Sequence, residues 1–403
     1  MPDESHAVRS GSTIDAMSSR LNDKDLLARL VAFDTVSRNS NLPIVDFLSE
    51  YLERPGVEII RQPNDDGTKA NLIIWAGPKL EGDAHRFGLI LSGHVDVVPP
   101  GDRDDWHSDP FVLTERDGSY FGRGACDMKG FDALAISLLT EIDPSTLKAP
   151  LVGLFTFDEE LGTLGALHFS THWPSQRPLP PHAIVGEPTS LRAVRMHKGH
   201  AAMRATVRGT PAHSGYPHLG VNAIEPAGRI IVALTELRAV LEQERCVTSK
   251  YFPDVPYAAL NVAQVVGGEA INIVPETCTV HIGVRALPGM DSQALTARIR
   301  QAVESAKADA DVTFELLNDS PPFELDESAP IYKAVCGLVD QRETYGVNYA
   351  SDAGHLARMG VDCVLFGPGS IDVAQRPNEF IPINEFERAK GLLRSLVQQM
   401  CVD

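Results

Sequence analysis

Four short apolar runs set the frame for the first half of the chain: NLIIWAG (71–77), FGLILSG (87–93), APLVGLFTF (149–157) and AIVG (183–186). Unbroken apolar runs of this length suit strands buried on both faces. Between them, MKGFDALAISLLTEI (128–142) and LGTLGALHFSTHW (161–173) carry helical periodicity. Strands alternating with helices predict an α/β fold: a mostly parallel sheet with helices on both faces.

The pattern changes near residue 195. An alternating strand (200–209) leads into a long amphipathic helix (221–244) and strands at 257–267 and 278–287. A helix (292–308) and a last strand (311–317) complete a β-α-β-β-α-β order. That order is the ferredoxin-like split-βαβ unit, a compact α+β domain. NDSPPFELDESAP (318–330) reads as a linker, after which strand 361–367 and helix 383–400 resume the α/β pattern. The chain thus divides into a flexible N-terminal extension (1–20), an α/β domain in two pieces (21–194 and 321–403) and an inserted domain (195–320).

Charge and cysteine usage narrow the partners. Lys+Arg total 36 against Asp+Glu 54, a formal charge of −18. Such an excess repels phosphate backbones and anionic lipid, so neither nucleic acid nor a membrane is an expected partner. The six cysteines form no C-x-x-C pair and no disulfide-framework spacing, as for reduced thiols. No apolar run approaches the roughly 20 residues of a membrane helix. The polar N-terminus lacks a signal-peptide core. A cytoplasmic location is expected.

Polar clusters stand at the ends of the apolar strands, where α/β sheets build their sites. SGHVDVVP (92–99) places His94 and Asp96 on one side of an extended segment, so the carboxylate can orient the imidazole as a metal ligand. GRGACDMKG (122–130) carries Asp127 at a helix start, where capping alone explains an aspartate. TFDEELGTLG (156–165) holds Asp158, Glu159 and Glu160. That trio reads either as a solvated acidic turn or as a divided pair, one glutamate binding a cation while its neighbour takes a proton from water. VGEPTS (185–190) supplies Glu187, and GTPAHSGYP (209–217) puts His213 in a loop of the insert, where a lone histidine is most often unremarkable. Each cluster alone has a structural explanation. Together they place one histidine and several carboxylates on one sheet edge, with no P-loop, G-x-G-x-x-G or G-x-S-x-G motif in competition. A mixed His/carboxylate shell suits Zn²⁺, Co²⁺ or Mn²⁺, and two carboxylate-rich half-sites suit a paired centre.

These motifs, with FGPGSI (366–371), resemble the dinuclear-zinc amidohydrolases, the family that includes acetylornithine deacetylase, succinyl-diaminopimelate desuccinylase, aminoacylase and carboxypeptidase G. The match runs from about residue 22 to the C-terminus. Within it FDTVSRNSNLPIVDFL (33–48), DDGTKANL (65–72), HKG (197–199) and VPYAALNV (255–262) are most similar to the acetylornithine deacetylases. The resemblance implies a zinc-exopeptidase-like fold with the insert as a lid and dimerisation domain, hence a homodimer. It implies one or two Zn²⁺, with His94 and Glu187 on one ion, Asp127 bridging and Glu160 on the second. Glu159 would be the general base and Asp96 the orienting group. A cis peptide would follow Asp127, and His213 would polarise the scissile carbonyl, often across the dimer. Arg285 and Asn272 would hold the substrate's carboxylate and amide. The implied reaction is hydrolysis of an N-acyl amino acid, N2-acetyl-L-ornithine first, with N-acetylcitrulline, succinyl-diaminopimelate or a dipeptide as alternatives. A non-catalytic binding protein is the alternative of another class.

One departure stands out. The family closes its second metal site with a histidine in an A-H-x-P-[DN]-E pattern, and this chain has Ala374-Gln375-Arg376-Pro377-Asn378-Glu379. The amide of Gln375 offers only a neutral oxygen, a poor transition-metal ligand beside imidazole. YASDAGHLARMG (349–360) carries an unexpected His355. Three readings follow: one working metal, His355 as substitute ligand, or a lost or changed activity. The intact Asp127, Glu159, Glu160 and Glu187 favour the first.

Overall fold

Three sheets organise the residues described by the computed structural model, 20–80 and 87–403. The expected N-terminal extension lies outside the described residues except for Arg20. Before the insert the strands are β1 (Val57–Pro63), β2 (Ala70–Ala76), β3 (Leu89–His94), β4 (Thr114–Arg116), β5 (Ser119–Phe121), β6 (Leu151–Thr156), β7 (His182–Val185) and β8 (Val194–His197). The insert contributes β9 (His200–Arg208), β10 (Ala259–Gly267), β11 (Thr277–Arg285) and β12 (Asp311–Ser320). The chain ends with β13 (Phe323–Glu324), β14 (Tyr345–Val347), β15 (Asp362–Leu365) and β16 (Phe380–Pro382).

The large sheet runs β1-β2-β6-β3-β7-β15-β8-β13, with β14 also on β8. Its centre, β6-β3-β7-β15, is parallel, while β1, β2 and β13 pair antiparallel at the edges. The central strands are buried along their length apart from Asp362, which explains why they read as continuous apolar runs. Because they are parallel, their C-terminal ends share one edge. His94 closes β3 in register with Thr156 of β6, and Ser92 is in register with Val185 of β7.

The helices in chain order are α1 (Asp23–Val31), α2 (Leu42–Leu52), α3 (Gly130–Glu141), α4 (Leu164–His172), α5 (Ile224–Leu241), α6 (Ser292–Ala306), α7 (Pro330–Val339), α8 (Ala353–Arg358) and α9 (Ile383–Val397). In α3 every residue from Gly130 to Thr140 is buried, so it shows no polar face. Its Phe131 lies so close to Gly186 that a Cβ there would stand 1.9 Å from the ring. Only glycine lets the chain pass this point on its way from β7 to Glu187.

The insert has its own sheet, β10-β11-β9-β12. Burial alternates along β9 and β11, and Met203, Val280 and Ile282 form a separate core with Ile230 of α5 and Ile299 of α6. The stretch expected as a linker (318–330) is partly strand. β12 continues to Ser320, opposite His200, and β13 pairs with β8, so ladder bonds occupy backbone that its prolines had marked as free. β8 itself lies in the large sheet, and the insert's sheet begins at His200.

Candidate active site

The shared strand edge gathers His94, Asp127 and Glu160, whose ligand atoms all lie within 4.8 Å of one another. His94 is 1 % exposed and Asp127 4 %. The Asp127–Met128 peptide is cis, as the family resemblance implied. His94 Nδ1 lies 3.0 Å from the Asp96 carbonyl oxygen, which can only accept, so Nδ1 carries the proton. Nε2 then turns its lone pair to Asp127 Oδ1, 3.1 Å away. Two acceptors meet at that contact, and a proton or a metal ion must lie between them.

Asp96 meets the imidazole chiefly through its main chain. Its carboxylate is 3.7 Å from His94 Nδ1, farther than its own carbonyl. The carboxylate instead accepts the backbone N–H of Glu159 (3.0 Å) and Glu160 (3.3 Å) and the hydroxyl of Ser37 (2.7 Å). Both backbone donors lie more than sixty residues away in sequence, so the extended H-x-D geometry alone did not reveal them. Asp96 therefore fixes the imidazole through its main chain and the two glutamates through its side chain.

Negative charge accumulates at this edge. Burial first, then the charges of Glu187, Asp352 and Asp127, hold the Glu159 carboxyl well above the usual range, against the lowering influence of His94. Burial and Asp127 do the same for Glu160, and burial and Asp127 for Glu187. Burial pushes Asp352 up to about 6. Burial would lower His94, but the hydrogen bond and charge of Asp127 reverse it and raise the ring well above its ordinary value. Glu160 Oε1 is buried without a hydrogen-bond partner. A buried imidazole lone pair, an orphaned carboxylate oxygen and a surplus of acids are the donor set of a divalent cation.

Gln375 sits at the rim with a φ of 60° and donates its side-chain amide to Glu160 Oε2 (2.8 Å) and Asp127 Oδ2 (3.2 Å). His355 is buried elsewhere, with Nε2 3.0 Å from Thr163 Oγ1, which in turn donates to Ser320. It stands outside the His94 cluster. Arg285, at the end of β11, lines a cavity of about 370 Å³ with Lys198, His200, Asn261 and Asn348, and feels the charge of Glu159. His213 and Asn272 are exposed on the insert and adjoin each other: Ser214 N–H donates to the Asn272 carbonyl at 2.9 Å.

Several supporting residues escaped the sequence reading. Glu379 Oε1 accepts the N–H groups of Cys126 and Asp127, each at 3.0 Å, while Oε2 pairs with buried Arg123 at 2.5 Å. The final glutamate of the A-Q-R-P-N-E segment was the available signal. Asp352 accepts from Thr156 at 2.6 Å, and Lys69 pairs with Asp158 beside the glutamates.

Residues 90–399 match the family model "Peptidase family M20/M25/M40". The acetylornithine deacetylase of Proteus mirabilis is 34% identical over 377 residues, covering 92% of this chain and 93% of its own. That of Erwinia tasmaniensis is 36% identical over 375 residues, covering 92% and 94%. Among solved structures, an M20 family metallo-carboxypeptidase from Sulfolobus solfataricus superposes with a TM-score of 0.75 at 16% identity, covering 94% of this chain and 99% of that one. A dinuclear metal binding peptidase of the M20 family from Bacillus subtilis gives 0.63 at 15% identity, covering 94% and 98%.

Proposed function

This chain belongs to peptidase family M20/M25/M40, a family of metal-dependent amide hydrolases, and we propose that it removes the acetyl group of N2-acetyl-L-ornithine. The observation that carries the substrate is the relation to acetylornithine deacetylases at 34% and 36% identity over nearly the full length of both chains. The cavity supports it: it is lined by two cations, Arg285, which feels the charge of Glu159, and Lys198, suited to the α-carboxylate of an N-acyl amino acid.

In this reading His94 and Asp127 would hold one Zn²⁺ together with Glu187, and Glu160 would face the second position. Glu187 suits that role: it is 4 % exposed and feels the charges of both Asp127 and His94. When bound, the ion supplies Lewis-acid polarisation of the scissile carbonyl and acidifies water. Glu159 takes a proton from the attacking water and delivers it to the leaving nitrogen. Gln375 fills the far side of Asp127 and Glu160 with two N–H donors, where a second cation would otherwise sit.

In this reading His213 and Asn272, exposed on the insert, would reach the substrate of a second copy. Exposed Leu219, Val221, Ile224, Val265, Val266 and Ile271 beside them supply the apolar surface of a homodimer. Six free cysteines suit the cytoplasm, and no helix among the described residues is long and apolar enough to cross a membrane.

The test is amine release by the zinc-loaded protein from a panel of N-acyl amino acids and dipeptides. N2-acetyl-L-ornithine is expected to give the highest kcat/KM. A higher value for N-acetylcitrulline or succinyl-diaminopimelate reassigns the substrate. No release from any member of the panel contradicts catalysis and leaves the binding-protein reading.

A further inference from the structure

We propose that Asp65, His168 and His172 form an additional metal site on the outside of the α/β domain, taking a divalent transition ion of the Zn²⁺ class. His168 and His172 lie four residues apart on α4, so their side chains leave one face a turn apart. Their rings are already stacked, with centroids 4.0 Å apart and planes at 28°. The turn between β1 and β2 brings Asp65 to them. One ligand atom from each of the three residues falls within 4.8 Å of the others.

The hydrogen bonding prepares at least one ring for coordination. His172 Nδ1 lies 2.9 Å from the backbone oxygen of His168. That oxygen only accepts, so Nδ1 carries the proton and Nε2 keeps its lone pair, the tautomer a metal requires. Phe157 stands against the His168 ring at 5.9 Å and limits its orientation. A cavity of about 440 Å³, lined by Asn64, Asp65, Asp66, Phe157 and His168, leaves room for water to complete the coordination sphere. Two imidazoles and a carboxylate with an open position suit Zn²⁺ or Cu²⁺ and are poor for Mg²⁺ or Ca²⁺.

The position gives the site a structural consequence. α4 begins just after Glu159 and Glu160, and the β1–β2 hairpin already touches the same segment through the Lys69–Asp158 pair. An ion between Asp65 and the two histidines ties the hairpin turn to α4 from outside. It adds rigidity beneath the glutamate loop and takes no part in hydrolysis.

Zinc per chain, counted by equilibrium dialysis at saturating free Zn²⁺, tests the assignment. His172→Gln and, separately, Asp65→Asn are expected to bind one ion fewer than wild type. Both positions are exposed, so the metal-free variants should melt with wild type. The zinc-dependent rise in melting temperature should shrink in both, and hydrolytic activity at low free zinc should be unchanged. In crystals equilibrated with Zn²⁺, an anomalous peak should appear between the three side chains. Equal zinc counts in wild type and both variants, or no peak there, would overturn the proposal.

Discussion

Gln375 donates its amide to Glu160 at 2.8 Å while the same nitrogen lies 3.2 Å from Asp127. Between two carboxylates the NH₂ end of an amide is the favoured one, because the carbonyl end would set acceptor against acceptor. The nitrogen has no lone pair to offer a metal. The contact therefore supplies part of what a second cation would supply, without charge and without a coordination bond.

Glu159→Gln keeps the shape and the backbone bond to Asp96 but removes the proton acceptor. Turnover should fall by about 10²- to 10⁴-fold, the usual contribution of a positioned general base. KM and bound zinc should stay near wild type. Steady-state kinetics beside metal analysis checks this, and lost zinc would make Glu159 a ligand instead.

Arg285→Met removes from the cavity the guanidinium that feels the charge of Glu159. A charge-assisted bond to a carboxylate is worth about 1.5–3 kcal/mol, so KM should rise about 10- to 100-fold with a smaller change in kcat. An acetylated amine that lacks the carboxylate should be a poor substrate for both proteins and show no difference between them.

Glu379→Gln retains an acceptor for Asp127 N–H but leaves Arg123, 1 % exposed, without its counter-charge. An uncompensated buried charge costs about 3–5 kcal/mol, which urea unfolding of the zinc-loaded protein should register. A change below about 1 kcal/mol would mean that Arg123 finds another partner or water.

His197 is fully buried on β8, and burial lowers its pKa from 6.5 to about 4. Above about pH 6.5 the ring is neutral folded or unfolded, and its contribution is fully present. Between about 6.5 and 4 the unfolded chain takes a proton that the fold refuses, so stability falls with pH by up to about 1.4 kcal/mol per unit. The whole effect is about 3 kcal/mol. His197→Asn, which can keep the Nδ1 donor to the Lys198 carbonyl, should show a flatter stability–pH curve over that interval.

The parallel core of the sheet was legible because its strands are buried on both faces and announce themselves as apolar runs. The grouping of His94, Asp127 and Glu160 was legible because they follow on strand ends or open a helix, so sequence neighbours become edge neighbours. What stayed hidden depends on long-range packing. Glu379 reaches Asp127 across 252 residues, and Asp352 reaches Thr156 across 196. Edge strand β1 was missed because it is only half buried and ends in proline. His355 looked like a spare ligand, yet the packing of α8 gives its ring to Thr163. The Asp65, His168 and His172 cluster escaped because its carboxylate lies more than a hundred residues before its histidines.

The central claim is that Gln375 holds the centre to one metal ion. The most direct measurement is zinc per chain for Gln375→His beside the otherwise identical protein, both in the His172→Gln background so that the outer cluster does not contribute. One ion without the change and two with it are the predicted counts. Two ions bound with Gln375 still in place, or one after its replacement by histidine, would contradict the account.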